Sequence, residues 1–227
     1  MRLALKDVVS LFDVPEEKIQ HWIQRRNFPN HLVRDSMAFD RMEVLEWATV
    51  TGTRVSPEIL RTLFDPHSLP SLLDALTCGG IHYGIVGADM HAVFAAIIRV
   101  LNLPKDVDRE FLQQVLLARE SLGSTGVGDG VAIPHPRSPI VLNSTPNSVS
   151  LCFLEQPIEW KAIDGKPVQV MFVLMTPSIH SHLHLLSRLA FLLHDAEVQE
   201  AMRAKAKPQR ILEVFRKAEA EISPQSA

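Results

Sequence analysis

Arg119 to Arg137 reads RESLGSTGVGDGVAIPHPR and sets one histidine, His135, just past a glycine-studded turn. Gly123, Gly126, Gly128 and Gly130 are spaced to admit positive φ and to leave backbone N–H groups uncovered by side chains, a pattern suited to an anion. Val131, Ala132 and Ile133 read as a short buried strand. Pro134 fixes its own φ and Pro136 biases His135 toward an extended conformation, so the imidazole is presented from a stiff segment. The spacing of Gly126, Gly128 and Gly130 only imitates a dinucleotide fingerprint, because here a helix precedes and a strand follows. Neither a Lys-Ser or Lys-Thr phosphate loop nor Gly-x-Ser-x-Gly is present. On these residues alone, a tight surface turn with a structural histidine stays open.

Outward from this stretch, apolar periodicity predicts helices over Leu69–Thr77, Ala88–Leu101 and Asp108–Ser121 before it, with a short strand near Ile81. After it come strands Ser148–Leu154 and Val168–Met175, then helices His182–Leu193, Ala196–Ala204 and Pro208–Ala218. Such alternation predicts an α/β domain with helices packed on a central sheet.

The pattern R-E-x-L-x-S-T-G-x-G-x-G-x-A-I-P-H from Arg119 to His135, followed by IHSHLHLLSRLA from Ile179 to Ala190, resembles the enzyme IIA components of the phosphoenolpyruvate-dependent sugar phosphotransferase system. The resemblance is to the type-2 class, which takes in mannitol, fructose and nitrogen-regulatory members, and it runs over roughly Ser68 to Ala220. It implies a mixed sheet flanked by helices, with His135 accepting a phosphoryl group from the small histidine phosphocarrier protein. The family's second active-site histidine falls on His182 and its arginine on Arg119. Enzyme IIB or a regulatory protein is the implied recipient. Pro136 stands where a small residue is more usual, which bears on docking of the donor.

Histidine suits this role, since an ordinary pKa of about 6.5 leaves the neutral ring abundant near neutral pH. Phosphoryl transfer then asks for in-line positioning and for donors facing the equatorial oxygens. Arg119, His182, the Thr125 hydroxyl and the N–H groups of Gly126, Gly128 and Gly130 are the expected donors. No metal and no cofactor beyond the phosphoryl group carried on His135 is expected. His182 is expected at or just before a helix N-terminus, where the dipole favours an anion. Leu183, Leu186, Ala190 and Leu193 are expected to pack that helix. His180 and His184 share a helical face, yet the segment lacks the glutamate of His-Glu-x-x-His and any nearby cysteine, so they are read as surface residues and not as zinc ligands.

Composition sets the outer bounds. The 227 residues, 46% hydrophobic and 22% charged, suit one large or two smaller globular domains. A formal net charge of −3 argues against wholesale binding of nucleic acid or membrane. Two cysteines, Cys78 and Cys152, in unlike contexts predict no disulfide framework and fit a reducing cytoplasm. Lys6 and Asp7 fall where a signal peptide needs an apolar core, and Arg99 breaks the longest greasy stretch, so neither export nor membrane insertion is expected.

Residues 1–51 differ in character. Leu5–Phe12 and a helix beginning at Pro15, with Asp13 as its expected cap, present Ile19, Trp22 and Ile23 as an i, i+3, i+4 stripe. Leu32–Phe39 is a small β-wing candidate and Arg41–Val50 a third helix. This part resembles the mainly α winged helix-turn-helix domains of excisionase-like and MerR-like DNA-binding proteins. Matching positions are Leu5, Val8, Leu11, Val14, Ile19, Trp22, Ile23, Phe39, Arg41, Val44 and Trp47, most of them core. Gln20, His21, Gln24 and Arg25 lie opposite the stripe and are the candidate DNA contacts. Between Lys18 and Met42, Lys18, Arg25, Arg26, Arg34 and Arg41 outnumber Asp35 and Asp40, a local basic surplus.

A linker with one short helix, Pro57–Phe64, is expected over residues 52–66, the enzyme IIA-like domain over 67–220, and a frayed tail over 221–227. Three functions compete. They are a relay to enzyme IIB in sugar uptake, a phosphorylation-controlled regulator that reads DNA or a partner, and a vestigial carrier. Retention of Arg119, His135 and His182 together argues against the last.

Overall fold

A computed structural model of the chain describes residues 2–33, 36–56, 69–105, 107–136 and 146–222. The chain divides into two compact units, Met1–Leu69 and Pro70–Ala227. The expected linker helix Pro57–Phe64 and the boundary near Pro66 lie outside the described residues.

In the first unit, β1 (Arg2–Ala4), α1 (Leu5–Phe12), α2 (Glu16–Arg25), β2 (His31–Val33), β3 (Ser36–Asp40) and α3 (Arg41–Val50) follow in order. The strands form an antiparallel sheet with β3 in the middle. The stripe on α2 buries Ile19 and Trp22, and aromatic rings hold the unit together. Phe12, Trp22, Phe28, Phe39 and Trp47 pack with centroids 4.7 to 6.1 Å apart, a range that favours edge contacts. Asp13 does not cap α2. It ends α1 in the left-handed conformation at φ 50°, and Pro15 occupies the N-cap of α2 without a side-chain bond. The expected wing is joined by β1, whose three residues are too few to show a period of two.

The second unit is built on a five-stranded mixed sheet ordered β4-β7-β8-β6-β5: Ile81–Ile85, Ser148–Ile158, Val168–Met175, Val131–Ala132 and Gly126–Gly128. Over residues 149–154 and 170–175, strands β7 and β8 alternate their side chains, as pleating requires. Val149, Leu151, Phe153, Val170, Phe172 and Leu174 face α4 (Leu72–Gly79), α7 (Ile179–Leu192), α8 (Ala196–Arg203) and α9 (Pro208–Ile222). Cys152, Leu154, Met171, Val173 and Met175 face α5 (Met90–Val100) and α6 (Arg109–Ser121). Both faces being covered, the central strands are mostly apolar, which is why β8 shows in the sequence as an apolar run broken only at Gln169.

Helix α4 begins three residues later than expected because Ser71 caps it, its hydroxyl accepting the Asp74 N–H at 3.2 Å. Strand β7 runs beyond Leu154 to Ile158, with a register irregularity between Phe153 and Ile158. Strand β8 is parallel to β6, so both end at the same edge of the sheet. That shared C-terminal edge is where open α/β sheets place their sites. Among the described residues no helix is long and apolar enough to cross a membrane. Both cysteines are thiols, and burial in β7 pushes Cys152 up to about 12.

Candidate active site

His135 lies just beyond the end of β6. Pro134 is fastened to β8 by the Leu174 N–H, which donates to its carbonyl at 3.0 Å, so the proline segment continues the sheet's edge. The His135 ring turns back on its own chain, Nδ1 lying 2.6 Å from the Ile133 carbonyl oxygen. A carbonyl only accepts, so Nδ1 carries the proton and the lone pair of the neutral ring resides on Nε2.

His182 reaches the same place from β8. The strand ends at Met175, Ser178 caps α7 by accepting the Ser181 N–H at 3.1 Å, and His182 stands one turn in. Its ring is buried, with its centroid 5.0 Å from that of His135 and the planes tilted by 56°. The parallel β6–β8 pair thus brings together two histidines 47 residues apart in the chain. His182 sits deeper in the helix than expected, and its N–H already donates to the Ser178 carbonyl at 3.0 Å, so its contribution comes from the ring.

Arg119 lies in the last turn of α6, 7% exposed, with Nη1 donating to the Gly123 carbonyl at 2.9 Å. This bond turns the chain from the helix toward β5.

The glycines and Thr125 do other work than expected. Gly126 to Gly128 form β5, paired antiparallel with β6, and Asp129-Gly130 is the hairpin turn. Gly128 and Gly130 take φ of 101° and 75°, a requirement of that turn. The turn sits at the start of β6 and His135 past its end, five residues on, roughly 16 Å of extended chain. The turn's amides therefore do not cradle a group on His135. Gly126 is needed for close approach, since a Cβ there would fall 2.6 Å from the Ala162 side chain, and its N–H donates to Ser124 Oγ. The single Thr125 hydroxyl proton is donated to Glu120 Oε2 at 2.6 Å, which removes it from the set of phosphate donors.

Of the other histidines, His180 is exposed. His184 is not a surface residue as expected: it is half-buried, and burial, together with the Arg188 charge, pushes it down to about 4 against an opposing bond to the Pro70 backbone. The helix below His182 buries Leu183 and Leu186 as expected, but also Leu185, Leu189 and Leu192, while Ala190 and Leu193 are only partly covered. In the first unit Gln20, His21, Gln24 and Arg25 are all exposed on α2. No spacing signal pointed to Glu120, although it stands next to Arg119 in the motif.

A family model described as phosphoenolpyruvate-dependent sugar phosphotransferase system, EIIA 2, matches residues 76–218. The chain belongs to this EIIA 2 family. A nitrogen regulatory protein of Pseudomonas aeruginosa is 35% identical over 134 residues, 57% of this chain and 84% of that protein. One from Bradyrhizobium diazoefficiens is 39% identical over 106 residues, 45% of this chain and 66% of that protein. Among solved structures, nitrogen regulatory protein IIA-Ntr from Neisseria meningitidis is similar with a TM-score of 0.53 at 26% identity, covering 66% of this chain and 97% of that one. The EIIA 2 match contains Arg119, His135 and His182, and it lies wholly within the second unit.

Proposed function

We propose that this EIIA 2 protein is a cytoplasmic histidine phosphocarrier acting in a regulatory branch of the phosphotransferase system, with His135 as the phosphoryl acceptor. The observation that carries the reading is the 2.6 Å bond from Nδ1 to the Ile133 carbonyl, which supports a lone pair on Nε2, in a ring whose centroid lies 5.0 Å from that of His182. In the transfer, Nε2 forms the new P–N bond as the donor histidine's P–N bond breaks, and that electron pair returns to the donor ring. The donor is the histidine phosphocarrier protein. His182 and Arg119 meet the charge on the transferring oxygens, and the recipient is a regulatory target, which the nitrogen-regulatory relatives favour over an enzyme IIB in sugar uptake. The phosphoryl group on His135 is the only group carried.

Incubation with phosphoenolpyruvate, enzyme I and the carrier tests these roles. His182→Ala still takes phosphate on His135 but relays it more slowly. Arg119→Ala slows both uptake and release by 10²- to 10³-fold, about 3–4 kcal/mol, the size of a lost oxyanion donor. Unchanged rates in both variants contradict the assignment.

A second reading makes the first unit a phosphorylation-controlled output that binds DNA as a winged helix-turn-helix. Its support is the exposed polar row Gln20, His21, Gln24 and Arg25 on α2. Phosphorylation adds up to about two negative charges, and a coupling of about 1.4 kcal/mol gives a tenfold change in affinity. Binding of genomic fragments at stated salt is expected to differ at least tenfold between the phosphorylated and unphosphorylated forms and to weaken in Arg25→Ala. Equal affinity rejects the switch, and no binding assigns the unit to protein contacts.

A further inference from the structure

Glu120 takes no part in the transfer as described, yet its carboxylate is 6% exposed and fully engaged. Both oxygens serve one residue, Oε1 accepting the Thr125 N–H at 2.8 Å and Oε2 the Thr125 O–H at 2.6 Å. Trp160 Nε1, on a ring with no exposure, donates to the same Thr125 oxygen at 3.3 Å, so the hydroxyl's orientation is set from both sides. The Thr125 carbonyl in turn accepts the Ile133 N–H at 3.0 Å, and the Ile133 carbonyl accepts His135 Nδ1–H. An ionised carboxylate suits this place because it offers two acceptors and no donor. Glutamine would turn an N–H toward one of two donors, and aspartate would fall a methylene short.

We infer that Glu120 is a positioning residue of the phosphorylation site: through Thr125 and Ile133 it holds the carbonyl that keeps His135 as the Nδ1–H tautomer. The inference rests on the reading of His135 as acceptor and deepens it. If the Ile133 carbonyl shifts, the proton redistributes to Nε2, and the lone pair then resides on Nδ1, which is turned back toward its own chain, and not on the nitrogen that attacks phosphorus. The rate then falls with the population of the competent tautomer. A residue that only staples α6 to β5 would change stability and leave the tautomer alone.

The test uses the full chain with nitrogen-15 histidine, in wild type, Glu120→Gln, Thr125→Val and Thr125→Ser. Ring nitrogen shifts of His135 give the tautomer, and initial labelling rates from the phosphorylated carrier give the function. Wild type is expected as the Nδ1–H form. Glu120→Gln and Thr125→Val are expected to show the Nε2–H form and label at least tenfold more slowly, and Thr125→Ser to recover both within twofold. An unchanged tautomer in Glu120→Gln and Thr125→Val overturns the inference, whether or not the rate falls. Should Glu120→Gln fail to fold, the Thr125 pair decides alone. The tautomer measurement needs no donor, so a wild type that takes no phosphate rejects the functional reading without deciding this one.

Discussion

Glu219→Ala is expected to lower the stability of the second unit by about 3–5 kcal/mol, the range for stripping one partner from a buried, hydrogen-bonded charge. The residue lies on α9 and is 8% exposed, but its carboxylate closes a helix that begins 147 residues earlier. Oε1 accepts the Leu72 N–H at 2.7 Å, and Oε2 accepts the Leu73 N–H at 3.0 Å and the Ser71 hydroxyl at 3.2 Å. The first amides of α4 have no partner within their own helix, and an anion there also meets the positive end of the dipole. Arg188 on α7 supplies the counter-charge at 3.4 Å. Removal leaves Leu72 N–H buried without its acceptor and Arg188 without this counter-charge, each a larger loss than the bond itself. Denaturant unfolding should show a lower midpoint with an unchanged slope. Glu213→Ala on the same helix is the control. Its pair with Arg210 is exposed, so it should fall within about 1 kcal/mol of wild type. A Glu219→Ala effect no larger than the control contradicts the account of α4.

His135→Ala is expected to abolish phosphate uptake altogether. The alanine leaves the β6 edge, the Pro134–Leu174 bond and α7 intact, since none of them uses the imidazole. What disappears is the one Nε2 whose proton state the Ile133 carbonyl fixes. His182 is not expected to substitute, because its ring is carried by α7 and not by the proline-stiffened segment. Intact mass should show an acid-labile, base-stable gain of one phosphate in wild type and none in His135→Ala. Persistence of that gain in the variant would move the acceptor elsewhere.

How far these features could be read from residues alone follows from the range of the forces involved. Strand β8, Val168–Met175, was legible because burial on both faces makes all of its residues but Gln169 apolar. Helix α6 was legible because Asp108 marks its start in the sequence and caps it in space, accepting the Glu110 and Phe111 amides. His135, His182 and Arg119 were legible only as a motif. The approach of the two histidines depends on the parallel pairing of β6 with β8, which no local pattern encodes. Local reasoning failed where a residue has two uses. Asp13 is a good cap by type but ends α1 instead of starting α2, and Gly126 to Gly130 suit an open anion loop as well as a hairpin. Glu219 was invisible for a simpler reason, that its partners Leu72 and Leu73 are distant in sequence. Glu120 was visible as a letter of the motif, but its role needs the position of Thr125.

The most direct test of the central claim is the position of the phosphate on the ring. Phosphorylate the nitrogen-15 histidine-labelled protein with phosphoenolpyruvate, enzyme I and the carrier, and read phosphorus–nitrogen coupling and ring shifts by NMR. The account predicts a single phosphohistidine at position 135, bonded through Nε2, with the proton retained on Nδ1. Phosphate on Nδ1 of His135, or on His182, would contradict it.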